Sequence, residues 1–426
     1  MDVATFAATA LLLVMALYAA LLAYGAYRKI AVTAAASEAG TLYFKARIRQ
    51  ITEERQFTRE QAELSWNGAR KFVLERKQPE GGGICSFYLS PHDARPLPPF
   101  QPGQFLTFQL DIPGEKKSVI RCYSLSDSPN HPDYYRVSIK AQPAPRDNPD
   151  NHPPGLVSNF FHDSLNEGDI VDCKAPGGGF YLDMSKQTPV VLIGGGIGLT
   201  PVLSMLNAIT EAGSKREVWF FYGVRNASDH VMKEHLQQVA RENENVNLQV
   251  CYSAPGDDDV MGEDYQQKGR VSLDLFKELL PSNNFDYYLC GPPPFMETLV
   301  NGLEEWGVPD ANVHFEAFGP ATVKKVKDAH TPTDAPPADA GSAIKVTFSK
   351  SGKTLDWTPD AGALLDFAED NGVDLEYGCR AGNCGSCIVA IKEGDVDYDS
   401  PPGAGCEVGS CLACVAIPKG NLVLDA

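Results

Sequence analysis

Three cysteines near the end of the 426-residue chain have the spacing of a metal site. Cys379, Cys384 and Cys387 follow the pattern C-x4-C-x2-C within EYGCRAGNCGSC. Thiolates bind zinc or iron–sulfur clusters, but structural zinc sites usually contain paired C-x2-C units. The observed spacing, followed by a distant cysteine, is instead typical of a [2Fe–2S] centre. Three later cysteines are candidates for the fourth ligand: Cys406, Cys411 and Cys414.

A glycine-rich segment from Val190 to Pro201, VVLIGGGIGLTP, has the pattern of a phosphate-binding turn. The apolar run predicts a buried strand, and a helix is predicted to start at Thr200, with Pro201 just inside it. Glycines allow the backbone to approach a pyrophosphate closely. The glycines of this turn are Gly194, Gly195, Gly196 and Gly198. A later predicted strand ends in YYLCGPPPFM, which contains Cys290, Gly291 and Pro292.

The elements around these motifs change character along the chain. Over residues 65–185, short apolar runs between Gly, Pro and Asp predict an antiparallel β-barrel or sandwich. Strands alternate with helices over 186–320, which predicts a doubly wound parallel sheet, the nucleotide-motif domain. Residues 321–342 are rich in Pro, Ala and Asp and predict a linker. Residues 343–426, the cysteine-cluster domain, predict a small β-rich fold with one helix before the cysteines.

The N-terminus contains an uncharged apolar run over residues 5–27, which is long enough to span a bilayer. Arg28 and Lys29 follow at once, which favours an orientation with the rest of the chain in the cytoplasm. We expect a single-pass anchor in residues 1–33, a polar stalk over 34–64, and a location at the cell (inner) membrane. A cleaved signal peptide and a buried helix are the alternatives.

The chain is acidic, with a net charge of −18. A protein without a basic surface field is not expected to bind nucleic acid, because nucleic-acid affinity depends on neutralising phosphates. The acidity serves solubility, or it steers the chain towards a basic protein partner.

The segment RCYSLSDS, which begins at Arg121, resembles the flavin motif of the ferredoxin–NADP reductase superfamily, so residues 65–185 are named the flavin-motif domain. The flanking PGQFLTFQLDIPG, YYRVSIK and GLVSNFFHD extend the resemblance, most of all to the reductase half of flavohaemoglobins and to oxygenase reductases. It implies that Arg121 pairs with the flavin diphosphate, Tyr123 packs on the flavin ring and Ser124 reaches towards N5. The GLVS segment would hold the pyrophosphate through Gly155, Leu156 and Ser158. FAD is the expected flavin, with FMN as the alternative.

The same resemblance implies roles in the other two domains. It places Cys290, with Gly291 and Pro292, beside the nicotinamide. Phe318 of HFEAFGP would lie near the flavin or block the empty nicotinamide position. The resemblance also selects Cys414 as the fourth ligand, because CLACVAIPKGNLVLDA resembles the closing strand of plant-type ferredoxins, and it implies an α+β, β-grasp-like ferredoxin fold for residues 343–426. The residues expected next to the reacting groups are therefore Tyr123, Ser124, Cys290 and Phe318.

The choice between NADH and NADPH rests on the segment GVRNASD. Arg225 has the charge to meet a 2′-phosphate, but Asp229 would oppose one. We expect NADH, with NADPH as the alternative.

The domain order implies a path for electrons. A nicotinamide gives two electrons as a hydride and a [2Fe–2S] cluster accepts one, so a flavin belongs between them. The order matches oxygenase reductases with a C-terminal ferredoxin domain, although soluble members of that group lack the apolar N-terminal run. We expect a membrane-tethered reductase that passes single electrons to a membrane-bound oxygenase, hydroxylase or desaturase. A quinone or ferric reductase without a protein acceptor, and a redox-sensing regulator, are the alternatives.

Overall fold

The computed structural model describes residues 3–144, 154–318, 344–382, 384–398, 402 and 406–426. The chain divides into two compact units, Met1–Glu60 and Gln61–Ala426. The predicted linker, residues 321–342, lies outside the described residues.

The first unit consists of a single helix, α1 (Val3–Leu64), whose last residues belong to the second unit. Its segment Thr9–Ala34 has a mean hydropathy of 2.0, and none of it is buried. This segment is long and apolar enough to cross a membrane, although a signal sequence would meet the same criteria.

The flavin-motif domain contains a six-stranded antiparallel sheet of order β4-β3-β6-β1-β2-β5. Its strands are β1 (Arg70–Gly81), β2 (Ile84–Pro91), β3 (Phe105–Leu110), β4 (Val119–Ser124), β5 (Tyr135–Lys140) and β6 (Ile170–Cys173). An isolated bridge between Leu125 and Val137 joins the two ends of the sheet. Side chains alternate along β1, where Phe72 and Leu74 are buried and Lys71 is exposed, so one face forms a core. A short helix, α2 (Leu156–Asn159), follows β5 and continues as a π-turn over Phe160–Ser164.

The nucleotide-motif domain contains a parallel six-stranded sheet of order β10-β9-β8-β7-β11-β12. Its strands are β7 (Val190–Gly195), β8 (Val218–Val224), β9 (Val246–Tyr252), β10 (Gln267–Lys268), β11 (Asp286–Gly291) and β12 (Val313–Ala317). Its helices are α3 (Leu199–Glu211), α4 (Lys233–Glu242), α5 (Leu273–Leu279) and α6 (Pro293–Glu305). Alternate strand residues enter two separate cores: Leu192 packs with residues of α3 and α4, and Val191 with residues of α5 and α6. The prediction of a doubly wound parallel sheet is confirmed.

Helix α3 begins at Leu199, one residue before the predicted start. The tight turn Gly196–Gly198 leads directly into the helix, and Gly198 is its N-cap. Thr200 and Pro201 therefore lie within the first turn.

The cysteine-cluster domain has a mixed five-stranded sheet of order β14-β13-β19-β15-β17 and a two-stranded sheet, β16-β18. The strands are β13 (Ile344–Phe348), β14 (Lys353–Trp357), β15 (Ile388–Glu393), β16 (Val396–Tyr398), β17 (Ser410–Leu412), β18 (Ala416–Pro418) and β19 (Leu422–Leu424). One helix, α7 (Leu364–Asp370), buries Leu364, Leu365 and Phe367 in the core of this domain. The long loop between α7 and β15 carries the first three cysteines.

Close packing at the start of α3 yields a stability prediction. A Cβ on Gly198 would overlap the Cys290 carbonyl at the end of β11 and would lie 2.7 Å from the Gly291 nitrogen. We expect Gly198→Ala to destabilise this domain by about 1–3 kcal/mol, a typical cost of overpacking. Amide hydrogen exchange in the full-length chain measures this destabilisation, because the amides of β7 and β11 should exchange faster in the variant than in the wild type.

The matched control is Gly256→Ala. A Cβ on Gly256 meets only the carboxyl group of Asp259, at 3.8 Å and beyond. Equal exchange rates in both variants would contradict the packing argument.

Candidate functional site

Four cysteine sulfurs come together in the cysteine-cluster domain. The sulfurs of Cys387 and Cys414 lie 3.1 Å apart. The backbone N–H of Cys379 donates to the sulfur of Cys384 at 3.2 Å, and the N–H of Cys384 donates to that of Cys379 at 3.3 Å. The side chain of Cys379 also contacts that of Cys414, so the Cys379–Cys384 pair and the Cys387–Cys414 pair form one group.

The loop that carries these cysteines turns its backbone N–H groups inwards. Gly382 donates to the sulfur of Cys414 at 3.3 Å, and Ala381 donates to that of Cys379 at 3.4 Å. The loop reaches this shape through positive φ angles at Arg380, Gly382 and Gly385. Such inward N–H groups suit an anionic sulfur cluster, so the residues present fit a [2Fe–2S] group.

The two remaining candidates for the fourth ligand have other surroundings. The sulfur of Cys406 lies 3.6 Å from the Tyr398 hydroxyl and 3.5 Å from the Ser410 carbonyl oxygen. Cys411 is fully buried in β17, and burial raises the pKa of its thiol to about 12. The pKa of the Cys379 thiol is lowered, by contrast, because the neighbouring Cys122 and Cys384 side chains form hydrogen bonds with it. A lower pKa favours the thiolate form, which binds metals.

A cavity of about 340 Å³ lies between the cysteine loop and the other two domains. Three of the predicted flavin-binding residues line this cavity from strand β4: Arg121, Tyr123 and Ser124. Its other walls come from the start of α3, the end of β12 and the cysteine loop, and include Ile197, Thr200, Glu316, Phe318, Gly378, Cys379, Arg380 and Ala381. The flavin motif and one cysteine of the metal site therefore share one cavity.

Tyr123 is fixed in the wall of this cavity by aromatic neighbours. Its ring meets Phe161 at 5.5 Å and Phe108 at 5.9 Å, both edge to face. Burial raises the pKa of Tyr123, so its hydroxyl stays protonated at neutral pH. The Arg121 guanidinium donates to the carbonyl of Ile120 at 2.7 Å, and its cationic side chain lines the cavity. An aromatic ring beside a cation suits a planar group that carries phosphates, so these residues fit a flavin dinucleotide.

The GLVS segment lies at the start of α2. Gly155 is the N-cap, and the Ser158 hydroxyl donates back to the Gly155 carbonyl at 3.2 Å. Leu156 is exposed. None of these three residues lines the 340 Å³ cavity. Gln142 does line it, and the backbone carbonyl of Gln142 accepts a hydrogen bond from the Gly155 N–H at 2.8 Å. The predicted pyrophosphate role of this segment remains a prediction.

A second cavity, of about 600 Å³, opens at the carboxyl ends of the parallel strands. Of the predicted nucleotide-binding residues, Gly195, Gly196 and Pro292 line it. Arg225 and Arg270 line it too, as does Asp229, which pairs with Lys140 at 3.8 Å. Lys140 lines the cavity as well, so three cationic side chains lie beside the glycine turn, and this position fits a pyridine dinucleotide.

Several predicted nucleotide-binding residues lie elsewhere. Thr200 lines the 340 Å³ cavity, and its hydroxyl donates to the Ile197 carbonyl at 3.2 Å. Cys290 is fully buried in the core of the domain, and burial raises the pKa of its thiol. Cys290 is not among the described residues that line either of the two cavities. The junction between β7, β11 and α3 contains the others: Gly194, Gly198, Pro201 and Gly291.

Two residues of the cavity wall were missed by the sequence reasoning. Glu316 is buried on β12, and its Oε2 atom has no hydrogen-bond partner among the described residues. Burial, and then the Cys379 thiolate, raise the pKa of Glu316 from 4.5 to about 8. Cys122 lies between Arg121 and Tyr123, and its side chain contacts those of Cys379 and Cys384. An acidic residue inside the apolar run HFEAF was the available signal for Glu316, whereas nothing in the sequence pointed to Cys122.

Known proteins match the chain in three consecutive domains. The oxidoreductase FAD-binding domain model matches residues 84–181, and the oxidoreductase NAD-binding domain model matches residues 192–301. The 2Fe-2S iron-sulfur cluster binding domain model matches residues 346–419. The solved structure of phthalate dioxygenase reductase contains the same arrangement: it is 26% identical, with a TM-score of 0.52 over 84% of this chain and 98% of that chain.

The chain resembles the ferredoxin–NADP reductase family in the identity and the order of its three domains. It is an oxidoreductase of the FAD- and NAD-binding type, and the predictions of FAD, NADH and [2Fe–2S] are confirmed at the level of the domains that bind them. The resemblance found in the sequence is confirmed as well.

Flavohaemoglobin-type proteins are similar over the first two domains. A flavohemoprotein of Halalkalibacterium halodurans is 41% identical over 261 residues, which cover 61% of this chain and 62% of that protein. The FAD/NAD-binding domain of a nitric oxide dioxygenase from Vibrio cholerae is 33% identical, with a TM-score of 0.52 over 59% of this chain and 99% of that one. This chain thus spans less than two thirds of the length of the flavohemoprotein.

The buried Glu316 yields a prediction on pH dependence. A carboxyl group with a raised pKa holds its proton in the folded state but loses it in the unfolded state between pH 4.5 and about 8. The free energy of unfolding should therefore fall as the pH rises through this range, by about 1.4 kcal/mol for each unit by which the folded-state pKa exceeds the unfolded-state pKa. We expect Glu316→Gln to remove this loss, so that the thermal stability of the variant exceeds that of the wild type most at pH 8.

Infrared spectroscopy provides the direct check, because the wild type should show a protonated carboxyl band at pH 6 that Glu316→Gln lacks. The exposed Glu297 gives the matched control, Glu297→Gln, which should leave both the band and the pH dependence unchanged. A wild type without the band at pH 6 would show that Glu316 is ionised.

Proposed function

We propose that this chain is a membrane-tethered, NADH-dependent reductase that delivers single electrons to a protein acceptor. The observation that carries the proposal is the shared cavity, which is lined by both the flavin motif and Cys379. When bound, FAD supplies the conversion of a hydride's two electrons into the single electrons that a [2Fe–2S] cluster takes.

The residues around the cavities fit separate tasks in this reaction. Arg121 would pair with the flavin diphosphate, Tyr123 would pack on the flavin ring and Ser124 would face its N5 edge. The glycine turn at Gly195 and Gly196 would hold the pyrophosphate of the nucleotide. Pro292 would lie beside the nicotinamide of that nucleotide, and Phe318, which lines the 340 Å³ cavity, would lie near the flavin. The proposed cluster ligands are Cys379, Cys384, Cys387 and Cys414.

The acceptor that we propose is an oxygenase, hydroxylase or desaturase. The similar phthalate dioxygenase reductase is, by its name, the reductase of a dioxygenase. The cysteine-cluster domain carries 13 acidic and 6 basic residues, so its surface suits a basic docking site on a protein partner. A membrane-bound acceptor would explain the apolar segment of α1, because a tether raises the effective concentration of two proteins on one surface.

Anaerobic titration with NADH, followed by absorbance and low-temperature EPR, tests the cofactor path. We expect the wild type to show flavin bleaching together with a reduced [2Fe–2S] signal. In Cys414→Ser the flavin should still bleach, but the EPR signal should be lost, because a hydroxyl is a poor substitute for a thiolate.

Cys406→Ser is the matched control and should retain the signal, since Cys406 lies beside Tyr398 rather than among the four sulfurs. Flavin bleaching without a reduced cluster, in wild-type protein with its full iron and sulfide, would contradict the proposed path. An unchanged signal in Cys414→Ser would contradict the ligand assignment.

The anchor has its own test in the middle of the apolar segment. Leu21 and Leu22 are exposed in the structure. Each lysine at the centre of a spanning helix costs about 3 kcal/mol, so Leu21→Lys/Leu22→Lys should move the protein from the carbonate-washed membrane pellet to the soluble fraction. Leu21→Ile/Leu22→Ile should stay in the pellet. Intact mass spectrometry that showed the apolar segment cleaved from the wild type would contradict an anchor.

A further inference from the structure

A fifth thiol reaches the four-cysteine site from a different domain. Cys122 lies on β4, between two residues of the flavin motif. Its side chain is within hydrogen-bonding contact of Cys379 and Cys384. Cys122 and Cys379 also line the same cavity. The Cys122 thiol therefore lies at the boundary between the flavin motif and the cluster ligands.

The surroundings of Cys122 leave its S–H group available to donate towards the ligand sulfurs. Thr107 Oγ1 lies 3.4 Å from the Cys122 sulfur and has a hydroxyl proton to donate to it. A cysteine thiol has one S–H donor. Its one S–H is then free to point at the ligand sulfurs.

Contacts between the two domains fix this arrangement. Ile120, two residues before Cys122, lies so close to Gly378 that a Cβ on the glycine would be 2.9 Å from its side chain. Lys174 donates to the Ser386 hydroxyl at 3.4 Å, and Lys117 pairs with Asp374. The cysteine loop thus rests on β4 and on the strand end beside it.

We propose that Cys122 donates an interdomain S–H hydrogen bond to the ligand sulfurs of Cys379 and Cys384 and thereby raises the reduction potential of the cluster. The inference rests on the proposed function, because it requires a [2Fe–2S] cluster on these ligands. Hydrogen bonds to the sulfurs are one of the features that set the potential of such clusters. The bond stabilises the additional negative charge of the reduced state, so it makes the docked cluster a better acceptor of electrons.

The position of the donor in another domain has a consequence for electron delivery. When the cysteine-cluster domain leaves β4, the hydrogen bond is lost and the potential falls. The cluster then becomes a stronger reductant for its acceptor. By thermodynamic linkage, reduction of the cluster must strengthen docking by the same free energy with which docking favours reduction.

The test is an EPR-monitored redox titration of the full-length holoprotein with three variants. Cys122→Val has a similar shape but no donor, and Cys122→Ser retains a donor. We expect Cys122→Val to lower the equilibrium constant for cluster reduction by about threefold to tenfold, the effect of a weak donor on a charged group. Tenfold corresponds to about 59 mV for one electron. Cys122→Ser should recover most of the wild-type potential.

Cys85→Val is the matched control, because Cys85 is a buried thiol of the same sheet, on β2. It should have the wild-type potential. An unchanged potential in Cys122→Val, or an equal shift in Cys85→Val, would overturn the inference. A lower iron content in Cys122→Val would overturn it too, since Cys122 would then be needed to hold the cluster. A wild-type chain without a reduced cluster signal at any potential would instead refute the proposed function.

Discussion

Electron transfer requires two redox groups to lie close together, and the contact between the cysteine loop and β4 meets this requirement. The ligand Cys379 and the flavin-motif residue Tyr123 line one cavity. Because catalysis of this kind is largely a matter of positioning cofactors, the other elements can be understood as supports for the contact. The antiparallel sheet holds β4, the parallel sheet brings the nucleotide cavity alongside, and the small third domain presents its cysteines.

Among the residues that the structure describes, few polar pairs hold this contact together. Both partners of the Lys117–Asp374 pair are about three-quarters exposed, and exposed ion pairs contribute little to stability. Lys174 and Ser386 add one long hydrogen bond. A docking surface of this kind is suited to a domain that must also deliver electrons elsewhere, because it can separate at a small free-energy cost. We therefore regard the docked arrangement as the electron-accepting state of the proposed reductase.

Local sequence patterns predicted much of the fold and part of the site. Alternating strands and helices predicted the doubly wound sheet, and the C-x4-C-x2-C spacing predicted which loop would hold a cluster. These features depend on neighbouring residues, so they can be read from the sequence. The sharing of one cavity by Cys379 and β4, by contrast, arises from contacts between residues more than 250 positions apart. The role of Cys122 depends on the same contacts. The burial of Glu316 beside Cys379, and of Cys290 against the start of α3, depends on other contacts between residues that are distant in the sequence.

Glu316 illustrates how burial changes a residue that looks ordinary in the sequence. Its side chain is buried in the cavity wall close enough to Cys379 to feel its charge, and its Oε2 atom has no hydrogen-bond partner among the described residues. A buried charge without a partner is costly, so the group retains its proton to a higher pH. A neutral acid in that wall does not repel an electron-rich flavin or cluster, whereas an ionised one would.

The most direct test of the account is the rate at which the cluster is reduced after rapid anaerobic mixing of the holoprotein with NADH, followed by freeze-quenched EPR over a wide range of protein concentrations. The shared cavity predicts a first-order rate that does not change with protein concentration, because electrons pass between groups of the same chain. A rate proportional to protein concentration would show that electrons pass between different chains, and it would contradict the central claim.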